Sequence, residues 1–214
     1  MIKVNFGSGP FPHEGWINVD LDAACRPDVV ADLGRGLPFG SATVDFVLCD
    51  HAISCIGLEA TRSFLAECRR ILKPDGAMRL LTPDLTELAR LYLERPNRLV
   101  DLWNATVGVP LATGSACEVF NLALEIQCRF QFDGPTLAAL AGEAGFDIAP
   151  VEFRRSRHPE LAGLDVRPPD QSVTMSYELH PSGRTVQWGQ TPMDPDDAPV
   201  TASSPRSAPR SPRA

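Results

Sequence analysis

The sequence predicts an α/β sandwich built on a mostly parallel, seven-stranded sheet with an antiparallel strand near one edge. Three observations carry this. Short apolar and β-branched runs alternate with helical patterns, the order that a parallel sheet with crossover helices requires. Early runs end on glycine or aspartate, at Gly7, Asp20, Asp32 and Asp50. A late run, Val173, Met175, Tyr177 and Leu179, alternates with polar residues. That alternation marks a half-buried strand of the kind antiparallel pairing allows.

The elements follow in order. Lys3 to Phe6, Trp16 to Val19, Asp28 to Ala31 and Val44 to Cys49 read as the first four strands. Phe64, Leu65, Cys68, Ile71 and Leu72 then recur at helical spacing, and Pro74-Asp75-Gly76 closes that helix with a turn. Ala77 to Leu81 is a fifth strand. Asp84, with Glu87 three residues on, resembles a capping box that opens another helix. Between residues 95 and 130, Leu99, Leu102 and Trp103 suggest helix, while Gly108 to Gly114 suggests a loop. Asp133-Gly134-Pro135 starts a helix that stops at Gly145. Phe146 to Phe153 and Val173 to Leu179 complete the seven strands, His180 to Gly183 is a turn, and Thr185 to Trp188 is a last short extended piece.

Length and composition set the frame. A chain of 214 residues supports one sizeable core, and 43% apolar with 22% charged residues is ordinary for a globular protein. Residues 1–189 are expected to form one domain. Residues 190–214, rich in Pro, Ser, Ala, Asp and Arg, are expected to be a disordered tail. A net charge of -7 argues against a protein that grips nucleic acid through its phosphates. No apolar run approaches the ~20 residues that span a bilayer, and the N-terminus enters strand and turn chemistry without a signal pattern. A cytoplasmic protein with no membrane span is therefore expected. Its six cysteines (25, 49, 55, 68, 117 and 128) are scattered without a C-x-x-C pair and read as free thiols. Cys49, His51 and Cys55 do not have a common zinc spacing, so no metal is expected.

Ligands of open parallel sheets bind beyond the carboxyl ends of the strands. Here those ends carry Gly7-Ser8-Gly9, Asp20, Asp32 and Asp50. Glycines after the first strand let a ligand approach the backbone closely. The missing third glycine, together with Pro10 and Pro12, disfavours a pyrophosphate site on a helix start. An aspartate ending the second strand can accept from both hydroxyls of a ribose; Asp20 holds that position, with Asp22 as an out-of-register substitute. Asp32 can accept from an exocyclic adenine amine beside the Leu33 amide. Each residue alone is also a plain turn or cap, and the pattern gains its force from their combination.

At these positions the chain resembles the class I S-adenosylmethionine-dependent methyltransferases, in particular a short type 11-like subgroup often found near surface-polysaccharide genes. The likeness runs through Val4 to Pro10, Gly15 to Asp22, Ala31-Asp32-Leu33, Leu37-Pro38-Phe39 and Val44 to Val47. It continues through Glu67 to Gly76, Ala144-Gly145-Phe146 and His158 to Leu161 with Gly163-Leu164. It covers about residues 1–180, and Arg70 to Gly76 is its most specific part. The resemblance implies a Rossmann-like fold and S-adenosylmethionine as cofactor. Gly7, Ser8 and Gly9 would lie at its methionine end, with Asp20 and Leu21 at the ribose, Asp32 and Leu33 at the adenine, and Asp50 again near the methionine. It implies methyl transfer to a hydroxyl or amine of a small molecule or glycan.

The chain departs from the pattern at two places. Similar sequences carry Glu-His-x-x-Glu-His after the fourth strand, where this one reads Asp50 to Cys55; they also carry a histidine where this one has Cys128-Arg129-Phe130. His51 remains as a candidate general base, with a structural histidine as the plain reading. The losses raise a second hypothesis, a catalytically weak or inactive S-adenosylmethionine-binding scaffold. A nicotinamide-dependent oxidoreductase is a third, disfavoured by the missing glycine and by an acidic strand end only eleven residues after Gly9. The basic run Arg154, Arg155, Arg157 and His158 is either a solvated face or an anchor for an anionic substrate. Trp103 and Trp188 read as packing residues. Residues 95–132 are the segment expected to shape the acceptor pocket.

Overall fold

The computed structural model describes residues 1–126 and 129–183. The extended piece at 185–188, the tail expected from residue 190, Trp188 and Cys128 lie outside them. Seven strands form one sheet: β1 (Lys3–Phe6), β2 (Ile17–Asp20), β3 (Val29–Val30), β4 (Val44–Asp50), β5 (Leu72–Pro83), β6 (Phe146–Pro150) and β7 (Thr174–Pro181), in the order β3-β2-β1-β4-β5-β7-β6. All neighbours up to β5 pair in parallel, and β7 runs antiparallel to both β5 and β6. The antiparallel strand thus sits one place in from the edge, as the alternation in 173–179 predicts. The strand order reverses between β1 and β4, so the crevice at that switch point opens at the ends of β1, β2 and β4.

β4 is buried on both faces. Val47 and Cys49 join the main core, while Phe46 and Leu48 join a smaller one behind the sheet. The main core is closed by α2 (Leu58–Ile71), through Phe64, Leu65, Cys68 and Ile71, and by α6 (Gly134–Glu143), through Leu137, Leu140 and Ala141. α1 (Ile53–Ile56) leads into α2. Three further helices, α3 (Leu85–Glu94), α4 (Pro96–Thr106) and α5 (Ala116–Glu125), bury Leu88, Leu91, Leu99, Leu102, Trp103 and Val119 among themselves as a third cluster.

Local chemistry accounts for most element ends, with some differences from expectation. Asp84 caps α3 by accepting from the Thr86 and Glu87 amides. The reciprocal half of a capping box is absent, because Glu87 pairs with Arg90 and the Asp84 amide donates to the Val173 carbonyl at 2.7 Å. Pro74-Asp75-Gly76 does not end in a free turn: Leu72 faces Val44 and Ala77 faces Phe46, so residues 73–76 bow out as a bulge within β5. His180 and Pro181 extend β7 instead of turning, opposite Asp147 and Phe146.

The most specific stretch of the sequence proves to be architectural. Arg70 binds Glu67 at 2.7 Å and donates to the Leu37 and Phe39 carbonyls, while Glu67 accepts from the Leu37 amide. Arg69 donates to the Gly145 carbonyl, and Lys73 reaches Asp45 at 2.7 Å. At Gly76 a Cβ would stand 2.9 Å from the Asp45 carbonyl oxygen, so the bulge closes only over glycine.

Behind the sheet, Arg79 on β5 is fully buried. It forms a two-pronged ion pair with Asp165, pairs with Glu178 across the β5–β7 ladder at 3.4 Å, and donates to the Glu152 and Arg155 carbonyls. Breaking a buried pair on one side leaves uncompensated charge, which typically costs about 3–5 kcal/mol. Arg79→Met is therefore expected to lower the unfolding free energy by about that amount in denaturant titration, since Asp165 and Glu178 are left unpaired. A smaller effect concerns pH. Burial, with the Arg157 charge beside it, pushes the His180 pKa below its ordinary value. The fold thus favours neutral His180, and its contribution is complete above about pH 6.5 and declines as the pH falls further. Stability measured from pH 7 to 5 should fall less steeply in His180→Asn than in the parent.

Candidate active site

A cleft of about 1090 Å³ opens at the carboxyl ends of β1, β2 and β4. Gly7, Ser8, Gly9, Asp20, Leu21, Asp32, Leu33 and Asp50 all line it, and His51 stands at its inner end. Sequence reasoning thus names residues that the fold brings into one place from four separate segments.

The first loop is held rigidly. The Gly7 and Ser8 amides both donate to the Val19 carbonyl, at 2.8 and 3.2 Å. Gly7 has φ +68°, and a Cβ on it would lie 2.3 Å from the Ala52 Cβ, so the loop and the end of β4 meet where only glycine fits. Asn18, buried in β2, binds Asn5, accepts from the His13 amide and donates to the His13 and Trp16 carbonyls. Asp28 completes this cluster by accepting the Asn18 backbone amide at 2.8 Å. A fully connected buried polar network of this kind fixes one conformation, here that of the 7–16 loop along the cleft wall.

The carboxylates are oriented by the backbone. Asp20 accepts from the Gly9 amide at 2.7 Å through one oxygen and from the Asp22 amide at 2.9 Å through the other. Asp22 itself caps the short 3-10 turn at Ala23–Cys25. Asp32 accepts from the Gly34 amide at 2.9 Å. Each oxygen has two lone pairs, so these carboxylates keep acceptor capacity toward the cleft.

Asp50 and His51 stand side by side where β4 ends at the cleft. Asp50 accepts from His51 Nδ1 at 2.6 Å and from Arg167 at 2.6 Å. Burial raises the Asp50 pKa, but the hydrogen bonds and charges of His51 and Arg167 outweigh it and hold the carboxyl below its usual range. An ionised Asp50 can only accept, so Nδ1 of His51 carries a proton and, in the neutral ring, Nε2 is the acceptor. Nε2 lies 3.2 Å from the Thr174 hydroxyl. His51 also has φ +58°, an uncommon backbone state for a residue with a side chain. Its amide bond to the Leu81 carbonyl at 2.9 Å and its ring contacts on both sides hold it there. Strain of this sort collects at functional positions.

Behind His51 a second cavity of about 490 Å³ opens between β7, α3, α4 and α5. The cleft and the cavity share His51, Cys55, Val166 and Arg167. Leu99, Leu102, Trp103 and Thr106 on α4, with Val119 and Ala123 on α5, supply much of the cavity wall, from the segment where the acceptor pocket was expected. Arg167 and Thr174 were not foreseen; they lie 117 and 123 positions along the chain from their partners. The only local sign is the stiff Pro168-Pro169 pair after Arg167. The basic run is elsewhere: Arg154, Arg155, Arg157 and His158 line neither cavity. Cys49 is buried in the main core and lines neither cavity. Trp103 packs as expected, its indole N–H spent on the Val109 carbonyl at 2.8 Å.

Known proteins give this geometry a context. Residues 14–80 match the methyltransferase domain family. Among solved structures, a methyltransferase of Thermotoga maritima described as dependent on S-adenosylmethionine and as a possible histamine N-methyltransferase aligns with a TM-score of 0.51 at 17% identity, over 85% of this chain and 82% of its own. Mitomycin 7-O-methyltransferase MmcR aligns at 0.51 and 13% identity over 85% of this chain and 49% of its own. The CMeT domain of the citrinin polyketide synthase aligns at 0.50 and 12% identity over 85% of this chain and 46% of its own. The chain spans about half the length of these last two, and at such identities the likeness is one of fold. No curated protein sequence matches the chain. The matched segment holds β2 to β4, most of β5, Asp20, Asp32, Asp50 and His51; this third of the chain is similar to a methyltransferase domain, and the fold around it is one shared with methyltransferases that depend on S-adenosylmethionine.

Proposed function

We propose that the cleft holds S-adenosylmethionine and that the cavity behind His51 holds the methyl acceptor, a small molecule or glycan methylated on a hydroxyl or amine in the cytoplasm. The observation that carries this reading is that His51, Cys55, Val166 and Arg167 line both spaces. The site suits the cofactor in three ways. Four aspartates, Asp20, Asp22, Asp32 and Asp50, line the cleft and favour a cationic ligand. The Ser8 hydroxyl is buried against the cleft and has no hydrogen-bond partner among the described residues. A Cβ at Gly9 would meet nothing within 4 Å, so the space in front of that backbone is open to a ligand.

In this reading Asp20 takes the ribose hydroxyls, beside Leu21. Asp32 takes the adenine amine, next to the Leu33 amide. Gly7, Ser8 and Gly9 border the methionine end, with Asp50 across from them. When bound, the cofactor supplies a methyl group already activated on a sulfonium. The protein's own part is to position the acceptor and exclude water from it. His51 accepts the acceptor's proton at Nε2 while Asp50 holds the resulting imidazolium, and Thr174 keeps the ring aimed at the cavity. Residues 1–189 would act together as the catalytic domain.

Three outcomes follow. Calorimetry should show S-adenosylhomocysteine binding that Asp20→Ala weakens at least tenfold; a parent protein that binds neither form of the cofactor would overturn the reading. Asn tolerates positive φ, so His51→Asn should keep stability and cofactor-product affinity while turnover falls by about 10²–10⁴, the usual worth of a general base. The glycines should separate: Gly7→Ala destabilises the fold itself through the Ala52 clash. Gly9→Ala carries a backbone cost of about 1–2 kcal/mol and shows its main effect in lost cofactor affinity.

A further inference from the structure

The chemistry of the second cavity narrows the acceptor. Much of its apolar wall is made by side chains of the α3–α5 cluster: Leu88, Leu99, Leu102, Trp103 and Val119 are each at most 9% exposed yet face this space. Among the described residues no Asp, Glu, Asn or Lys lines it. The polar groups that do are largely engaged. Arg167 is held by Asp50 at 2.6 Å, the indole N–H of Trp103 is spent on Val109, and Thr106 donates to the Leu102 carbonyl at 2.7 Å. Ser172 donates to the Pro168 carbonyl and Gln131 to the Ala123 carbonyl; Gln171 also lines the wall, and His51, Ser54, Cys55 and Thr174 stand together at the end that meets the cofactor cleft.

A sugar entering such a space would leave most of its hydroxyls without partners, and each one desolvated without compensation counts against binding. A compact apolar body gains from the same wall. The volume of about 490 Å³ lies in the range of small-molecule sites.

We propose that this cavity binds a compact, mainly apolar molecule bearing one hydroxyl or amine, with that group at the His51 end, and that it does not bind a glycan. The claim that the bound group is then methylated rests on the reading of the preceding section; the binding claim stands apart from it. The test uses the full chain and two probes, 1-naphthol and methyl α-D-glucopyranoside, titrated by calorimetry, with S-adenosylhomocysteine titrated in parallel. Naphthol should bind about 100-fold more tightly than the glucoside or better, as expected for a site without sugar partners. Ala123→Phe, which fills the cavity from α5, should weaken naphthol at least about tenfold by overpacking the site while S-adenosylhomocysteine affinity stays unchanged. Thr106→Phe, at the exposed end of α4, provides the same block should Ala123→Phe lower the unfolding midpoint. Glucoside binding as tight as naphthol binding, or naphthol binding that neither variant weakens, overturns the proposal. Loss of S-adenosylhomocysteine binding in the parent overturns the cofactor reading alone, because the naphthol titration is judged without it.

Discussion

The arrangement of the site depends on a charge that never meets water. Arg79 stands in the middle of β5, and its partners Glu178 and Asp165 come from β7 and from the long connection between β6 and β7. Its remaining N–H groups take the carbonyls of Glu152 and Arg155, so one guanidinium ties both ends of the 152–165 segment to the sheet. Asp165 also accepts the Arg154 amide at 2.9 Å. Two residues beyond Asp165 the chain delivers Arg167 to Asp50 on the opposite side of the site. A hydrophobic replacement could match the stability of such a cluster, but it would not fix where the loop leaves the sheet.

From that anchor the logic runs to His51. Arg167 and His51 share Asp50, one on each oxygen, which keeps the carboxylate ionised and the imidazole in one tautomer. The strained backbone at His51 and the contact of Gly7 with Ala52 belong to the same place, where the first loop and the end of β4 are pressed together. The result is a boundary shared by two spaces, with the His51 ring held there between Asp50 and Thr174.

Features set by neighbours in the chain were readable beforehand. The strand ends at Gly7, Asp20, Asp32 and Asp50 announce themselves because a parallel sheet places every carboxyl end on one rim. The helix starts at Asp84 and Asp133 are readable because a cap acts over two or three residues. What was hidden depends on distant partners. Nothing around Arg79 reveals that it is buried, and nothing around Arg167 or Thr174 reveals a role at residues 50 and 51. α4 and α5 were obscure because they bury their apolar faces against α3 and each other and not against the sheet. The stretch Arg70 to Gly76 was legible as a signature, yet its side chains tie loops to α2 and β4 and none of them touches the cleft.

The two spaces also divide the chain. Apart from Val166 and Arg167, everything lining the cleft falls between Asn5 and Ile56. Apart from His51, Ser54 and Cys55, everything lining the cavity falls after Thr82. The match to the methyltransferase domain family covers residues 14–80 and so lies almost wholly on the cleft side. This explains why comparison with other proteins bears on the cleft and not on the cavity: the cavity is built largely from helices and loops outside the matched segment. Four residues, His51, Cys55, Val166 and Arg167, are common to both spaces, and substitutions in α4 or α5 can reshape the cavity while leaving all four in place.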